Sequence, residues 1–149
     1  MVTMVGTEND TRALLSNLIQ MEHDAIAAYD AVIEKLENFG NKQQIRKFRS
    51  DHESHLENLE KLAAKHGAFK PDSTGMKSML TTGKVNVANM LGGDKATLKA
   101  MSTNESDTIS AYRNACNNKH APEDAQKMLQ GGLADEERHK EWMDEAAKK

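Results

Sequence analysis

Cysteine is almost missing from this sequence. A lone thiol, Cys116, in 149 residues excludes an internal disulfide framework and any paired-cysteine site for zinc or rubredoxin-type iron. Proline is nearly as scarce, with only Pro71 and Pro122, so few positions forbid a helix. Aromatic residues are 4% of the chain and valine-isoleucine runs are lacking, which disfavours a β-sheet core. No apolar run approaches the length that spans a bilayer, so no membrane partner is expected. The formal net charge is -3, and without a basic excess nucleic acid is not an expected partner either. The opening "MVTMVGTEND" has neither the basic segment nor the apolar stretch of a secretory signal. Together with the single thiol, this makes a cytoplasmic location the expectation.

What is present is a helix-forming mixture of Ala, Glu, Lys and Leu, with nine methionines as adaptable core filler. The pattern predicts an all-α fold, one domain over 1–149 with room for a sizeable core. The first helix is predicted to start at Asn9, Asp10 or Thr11 and to end near Gly40. Its apolar stripe is Leu15, Leu18, Ala25, Ile26, Tyr29, Ile33 and Leu36. The second runs from about Asn41 to Gly67, with Ile45, Phe48, Leu56, Leu59, Leu62 and Ala63 on its stripe. The third follows Asp94, a good N-cap residue, and ends at Asn117 or Asn118; Leu98, Met101, Ile109, Tyr112 and Cys116 form its stripe. The fourth opens at Pro122 and continues close to the C-terminus. Gly131 and Gly132 within it admit a bend or a close neighbour.

Short links make each hairpin, about 10–67 and 94–147, antiparallel. Between them lies a long crossover, about 68–93, holding the breakers "PDSTG" and "LGGD". Short helical turns are expected there around 76–83 and 85–91. A crossover of that length between two helical hairpins is the connectivity of a ferritin-like bundle.

The two hairpins repeat each other. "MEHDAIAAY" (21–29) returns 83 residues later as "NESDTISAY" (104–112), and "SDHESHLE" (50–57) returns 84 residues later as "ADEERHKE" (134–141). Repeated hairpins that pack about a pseudo-two-fold axis would bring equivalent residues together. Those residues are unusual for an apolar stripe. Glu22 lies between Leu18 and Ile26, Glu105 between Met101 and Ile109, and His52 between Phe48 and Leu56, with His55 one turn on. Glu136 and His139 share a face with Leu129, Leu133 and Met143. Buried carboxylates repel one another in a low dielectric. Two divalent cations would remove that conflict, so the six residues are candidate metal ligands. Imidazole nitrogen with carboxylate oxygen suits iron first, and also manganese or zinc. The layout is close to that of di-iron and di-manganese bundles, a Glu from each of two helices and Glu-x-x-His from each of the others. Here the second helix has His-x-x-His.

On "DHESHLENL", "LTTGKV", "NESDTISAY" and "DEERHKEW" the chain resembles the ferritin-like superfamily, relatives of rubrerythrin and bacterioferritin. More narrowly, it is similar over nearly its whole length to small bacterial ferritin-like proteins of undefined function. "DEERH" is also similar to the Asp-Glu-x-x-His element of di-iron oxygenases and ribonucleotide reductase small subunits. The resemblance implies a di-iron site with redox activity toward peroxide or O2, or with a role in iron handling. It implies that Asp135 orients His55, that Asp51 orients His139, and that Tyr29 and Tyr112 bond to ligand carboxylates. A homodimer is a further implication, since such bundles often pair.

Two departures qualify the match. His52 stands where the superfamily has Glu, removing one of two bridging carboxylates. The absence of rubredoxin-type cysteines means that a peroxidase would need an external electron donor. A different class of function competes: a non-catalytic stress or scaffold bundle acting by assembly or partner binding, its histidines and carboxylates forming a neutral polar core with raised carboxyl pKa values. Of the remaining polar residues, His23, His66 and His120 are expected at the surface, Asp24 and Asp107 at the surface or between helices, and Glu53 and Glu137 in solvent. Cys116 reads as a small core residue. No nucleophile or phosphate loop is evident.

Overall fold

Asp10 starts the first helix. Its backbone is extended and its carboxylate accepts from the Ala13 amide at 2.9 Å, satisfying one of the donors a helix start leaves open. The structure, a computed structural model, describes residues 3–70 and 91–149. In these, α1 spans Thr11–Lys35, α2 Phe39–His66, α3 Asp94–Cys116 and α4 Gln126–Ala146, with a 3-10 turn at Glu123–Ala125. Among the described residues there is no strand, and the chain is an all-α four-helix bundle. The helical turns expected around 76–83 and 85–91 lie outside the described residues, save Leu91 at their end, as does the "LTTGKV" segment.

The turn between α1 and α2 falls earlier than Gly40. Leu36 leaves the helix in an extended conformation and is buried, and Asn38 caps α2 by accepting from the Asn41 amide at 2.9 Å. Gly40 therefore sits inside the first turn of α2. Asp94 determines the geometry from across the bundle. It is the first residue of α3, preceded by Gly93 at the cap position, and its carboxylate accepts from the Glu37 and Asn38 amides and from Asn41 Nδ2 at 2.9, 3.0 and 3.0 Å. An acid read as the cap of its own helix thus ties down the preceding hairpin. Gly67 ends α2 as expected, in the left-handed region at φ 68°. Pro122 precedes α4 by the 3-10 turn.

The same contacts give the topology. The end of α2 lies beside the start of α4, where His66 Nε2 meets Asp124 at 3.1 Å. The start of α3 lies at the α1–α2 turn. The end of α2 and the start of α3 therefore lie at opposite ends of a bundle whose 28-residue α2 is about 42 Å long. α1 packs on α2 and α3 on α4, while α1 also meets α3 and α2 meets α4. Among the described residues, no helix is long and apolar enough to cross a membrane.

Two apolar clusters fill the interior. One gathers Leu14, Leu15, Leu18, Leu59, Ala111 and Leu129; the other gathers Val32, Ile45, Phe48, Leu98, Met101 and Met143. α1 is covered on two sides, so Ile19, Met21 and Val32 are buried as well as the expected stripe, whereas Ile26 and Ile33 are only half-buried. Gly132 serves close approach. A Cβ there would lie 2.6 Å from Cε1 of Tyr112, while at Gly131 it would meet nothing. Gly132→Ala is expected to destabilise the protein by about 1–3 kcal/mol through overpacking. Gly131→Ala should be neutral or stabilising by up to about 1 kcal/mol. Urea titration of both variants checks the contrast.

Candidate metal centre

Glu22, His52, His55, Glu105, Glu136 and His139 all occupy the layer between the two apolar clusters. Each is there because helical spacing continues an apolar stripe through it. Five are 0% exposed and His55 is 5% exposed. All six come together, and they form two overlapping groups whose ligand atoms lie within 4.8 Å of one another: Glu22, His52, His55 and Glu136, and His52, Glu105, Glu136 and His139. In the first group, Glu22 Oε2 is 3.0 Å from His52 Nδ1 and 3.6 Å from His55 Nδ1, and Glu136 Oε1 is 3.4 Å from His55 Nδ1. In the second, His52 Nε2 is 3.6 Å from Glu105 Oε1 and 3.4 Å from Glu136 Oε2. His139 Nδ1 is 3.8 Å from Glu105 Oε2 and 3.6 Å from Glu136 Oε2. Donor atoms set around one ion at about 2.0–2.1 Å would be about 3.3–3.4 Å apart in a tetrahedron. These groups could each hold a metal ion with little movement.

Residues behind the six orient them in two-fold fashion. His55 Nε2 is 2.8 Å from Asp135 Oδ2, and His139 Nε2 is 2.8 Å from Asp51 Oδ2. A carboxylate only accepts, so each ring donates from Nε2 and turns Nδ1 toward the centre. Tyr29 donates to Glu105 Oε1 at 2.6 Å, and Tyr112 to Glu22 Oε1 at 3.2 Å. Burial and the surrounding carboxylate charge push both phenols well above their usual pKa, so they remain donors. Among the described residues His52 Nε2, His55 Nδ1 and Glu136 Oε1 are buried with no hydrogen-bond partner. Native interiors rarely leave such atoms unmatched, and here all three face the centre.

Three contributors have no role at the site in the sequence reading. Arg138 Nη2 donates to Asp51 Oδ2 at 2.8 Å and to Asp135 Oδ1 at 3.1 Å, joining the two aspartates. Its spacing of three from Asp135 is a usable signal, but the repeat hides it, because Ser54 holds the equivalent place. Phe48 stacks on His139 at 4.2 Å between centroids, and reads in sequence as ordinary stripe. Thr108 Oγ1 donates to the Glu105 carbonyl at 2.9 Å and lies 3.3 Å from Oε2 of both Glu105 and Glu136.

Protons as well as cations can settle the charge of this layer. For Glu22, burial works to raise the pKa, but the charges of His52 and His55 and the hydrogen bond with His52 outweigh it and bring the group down to about 2. For His55 and His139, burial works downward, and their close neighbouring glutamates reverse it, to about 10 and about 9. His52 is also raised well above the ordinary value, against its own burial, by the charges of Glu136 and Glu22. Burial works to raise Glu105, but the neighbouring Glu136, His139 and His52 outweigh it and hold the group well below the carboxylate range. Glu136 alone among the acids goes up, to about 6, through burial and then the charge of Glu105. Raised ring pKa values favour protonated imidazoles beside the carboxylates, which lessens the repulsion among the acids. Of the three glutamates, Glu136 has the raised pKa expected of a neutral polar core.

The other polar residues divide as follows. Glu53 bonds Arg49 at the surface and Glu137 is exposed. Asp24 is buried and accepts from Gln20 Nε2 at 3.2 Å. His23, expected at the surface, is half-buried because α1 meets two neighbours. His66 and His120 are partly exposed and Cys116 borders the core. A groove of about 580 Å3 between α3 and α4, lined in part by Ile109, Arg113, Lys140 and Asp144, touches none of the six. The six themselves are almost wholly buried.

The fold is similar to that of a conserved hypothetical protein, rv2844, from Mycobacterium tuberculosis, whose crystal structure matches with a TM-score of 0.74 over 90% of this chain and 94% of that one. At 13% identity the likeness is one of fold. No curated protein matches the chain. The profile of a family described as a domain of unknown function, DUF2383, matches residues 10–118, which takes in α1, α2 and α3 with Glu22, His52, His55 and Glu105. As that match covers well over half of the sequence, the chain belongs to the DUF2383 family.

Proposed function

We propose that this protein is a ferritin-like binuclear metal protein, with iron as the first candidate and manganese or zinc as alternatives, that reacts with peroxide or O2 or handles iron in the cytoplasm. One observation carries the reading: His55 and His139 turn unprotonated-capable Nδ1 atoms inward because Asp135 and Asp51 hold their Nε2 atoms at 2.8 Å. That is how metal-binding histidines are generally held, and it leaves His55 Nδ1 buried and facing the centre without a hydrogen-bond partner.

Glu22, His52, His55 and Glu136 would hold one ion, and His52, Glu105, Glu136 and His139 the other. Bound iron would supply reversible electron transfer and a position open to the oxidant. The chain supplies the rest. Tyr29 and Tyr112 hold one oxygen of Glu105 and Glu22, which limits the rotation of each carboxylate. Arg138 holds both aspartates in register, and the apolar clusters on either side exclude bulk water. With a single cysteine in the chain, electrons would come from an external donor.

Anaerobic loading with Fe(II), followed by titration with peroxide, tests this. Bound iron that survives desalting, with an absorbance change beyond that of free-iron controls, is the expected result. Absence of both would overturn it. A second reading, a non-catalytic scaffold, is favoured by one finding: the three imidazoles and three carboxyls can balance one another without any cation.

A further inference from the structure

His52 lies on the boundary between the two ligand groups. Its Nδ1 faces Glu22 at 3.0 Å, on the side of His55. Its Nε2 faces Glu136 and Glu105 at 3.4 and 3.6 Å, on the side of His139. His55 and His139 each direct one nitrogen inward and anchor the other on an aspartate, as terminal ligands do. His52 has no such anchor: both of its nitrogens face glutamates of the centre. The sequence repeat pairs it with Glu136, the other residue shared by both groups, whose Oε1 and Oε2 likewise divide between His55 and His139.

We propose that His52 is a bridging ligand, with Nδ1 on one divalent ion and Nε2 on the other, in the imidazolate form. The proposal rests on the binuclear reading above. The chemistry of the ring agrees with this geometry. The repeat places His52 where four-carboxylate bundles have a Glu, and an imidazolate carries the same single negative charge as that carboxylate. The last ring proton leaves to solvent as the second ion takes its place. Histidine at this position thus keeps both duties of the missing glutamate, bridging and charge. It also sets the ions further apart than the about 3.5–4 Å usual in two-metal sites, because its two nitrogens diverge across a ring.

Cu(II), which imidazole binds tightly and which carries an unpaired electron, is the probe. The expected result is two ions per chain, an ordinary single-ion electron paramagnetic resonance signal at low occupancy, and loss of signal at full occupancy through coupling between the ions. X-ray absorption on the same loaded protein should show no ion-ion distance as short as about 3.5–4 Å. In His52→Gln the coupling should disappear, and in His52→Glu the short distance should appear. If His52→Gln does not fold, the unmodified protein still decides, since a short ion-ion distance there overturns the bridge. Two ions with coupling unchanged in His52→Gln would also overturn it, as would one ion per chain, and both outcomes leave metal binding intact. No bound Cu(II) would overturn the bridge, and failure to retain Fe(II) as well would overturn the metal reading with it.

Discussion

Loading the protein with two divalent ions near pH 7 is expected to release about three protons per chain, one each from His52, His55 and His139, and a fourth if His52 bridges. The direction follows from the pKa values. The bundle raises His55 to about 10 and His139 to about 9, and raises His52 as well, so at neutral pH all three rings carry the protons that ions must displace. The overall formation constant should therefore climb by roughly three powers of ten per pH unit around neutrality, flattening toward pH 9–10 as the rings lose their protons unaided. Calorimetry in buffers of different ionisation enthalpy gives the proton count directly. Release of fewer than one proton would show that the rings are neutral in the metal-free bundle.

The metal-free protein should show the opposite slope. Rings whose folded pKa lies above the unfolded 6.5 add stability that is complete below that value and disappears as pH rises through about 9 and 10. Glu22, lowered from 4.5 to about 2, adds stability held above 4.5 and lost as pH falls toward 2. Glu136 acts in reverse: raised to about 6, it costs stability as pH climbs from 4.5 to 6 and no more thereafter. Alkali should thus unfold the metal-free protein and tighten metal binding in the loaded one.

Helix type, the internal repeat and the convergence of six polar residues were legible because a helix translates spacing into facing. Glu22 and Glu105 interrupt apolar stripes, and nothing but an interior location follows from that. Boundaries were less legible. Gly40 and Asp94 carry strong local signals, yet Leu36 gains more by burial than by continuing α1, and the Asp94 carboxylate finds better donors at Glu37 and Asn38 than in its own helix. Spacing also says nothing about which nitrogen of a ring faces which neighbour. The division of His52 and Glu136 between two groups, and the Arg138 clamp over Asp51 and Asp135, exist only in three dimensions. Nor does a count of acids reveal that the nearby imidazoles have raised pKa values.

Replacing His139 by Ala should separate a metal centre from a self-sufficient polar layer. In the metal-free protein the change removes a ring stacked on Phe48 and bonded to Asp51, and leaves Glu105 and Glu136 short of a positive neighbour. A loss of about 3–5 kcal/mol is expected, as for breaking a buried charge pair. Both readings predict that loss, so it decides nothing by itself. The deciding measurement is the melting temperature with metal and then with chelator. Two ions, each at a hundredfold excess over its Kd, add about 5 kcal/mol to the native state, which for a chain of this length raises Tm by roughly 10–20 °C. His139→Ala should forfeit about half of that increment, because the ligands Glu22, His52, His55 and Glu136 of the other ion are untouched. Asp51→Ala, which frees the ring without deleting it, should weaken affinity about 10–100-fold. If metal adds nothing to the unmodified protein and chelator removes nothing, the imidazolium-carboxylate layer is complete as it stands, and the bundle acts as a scaffold.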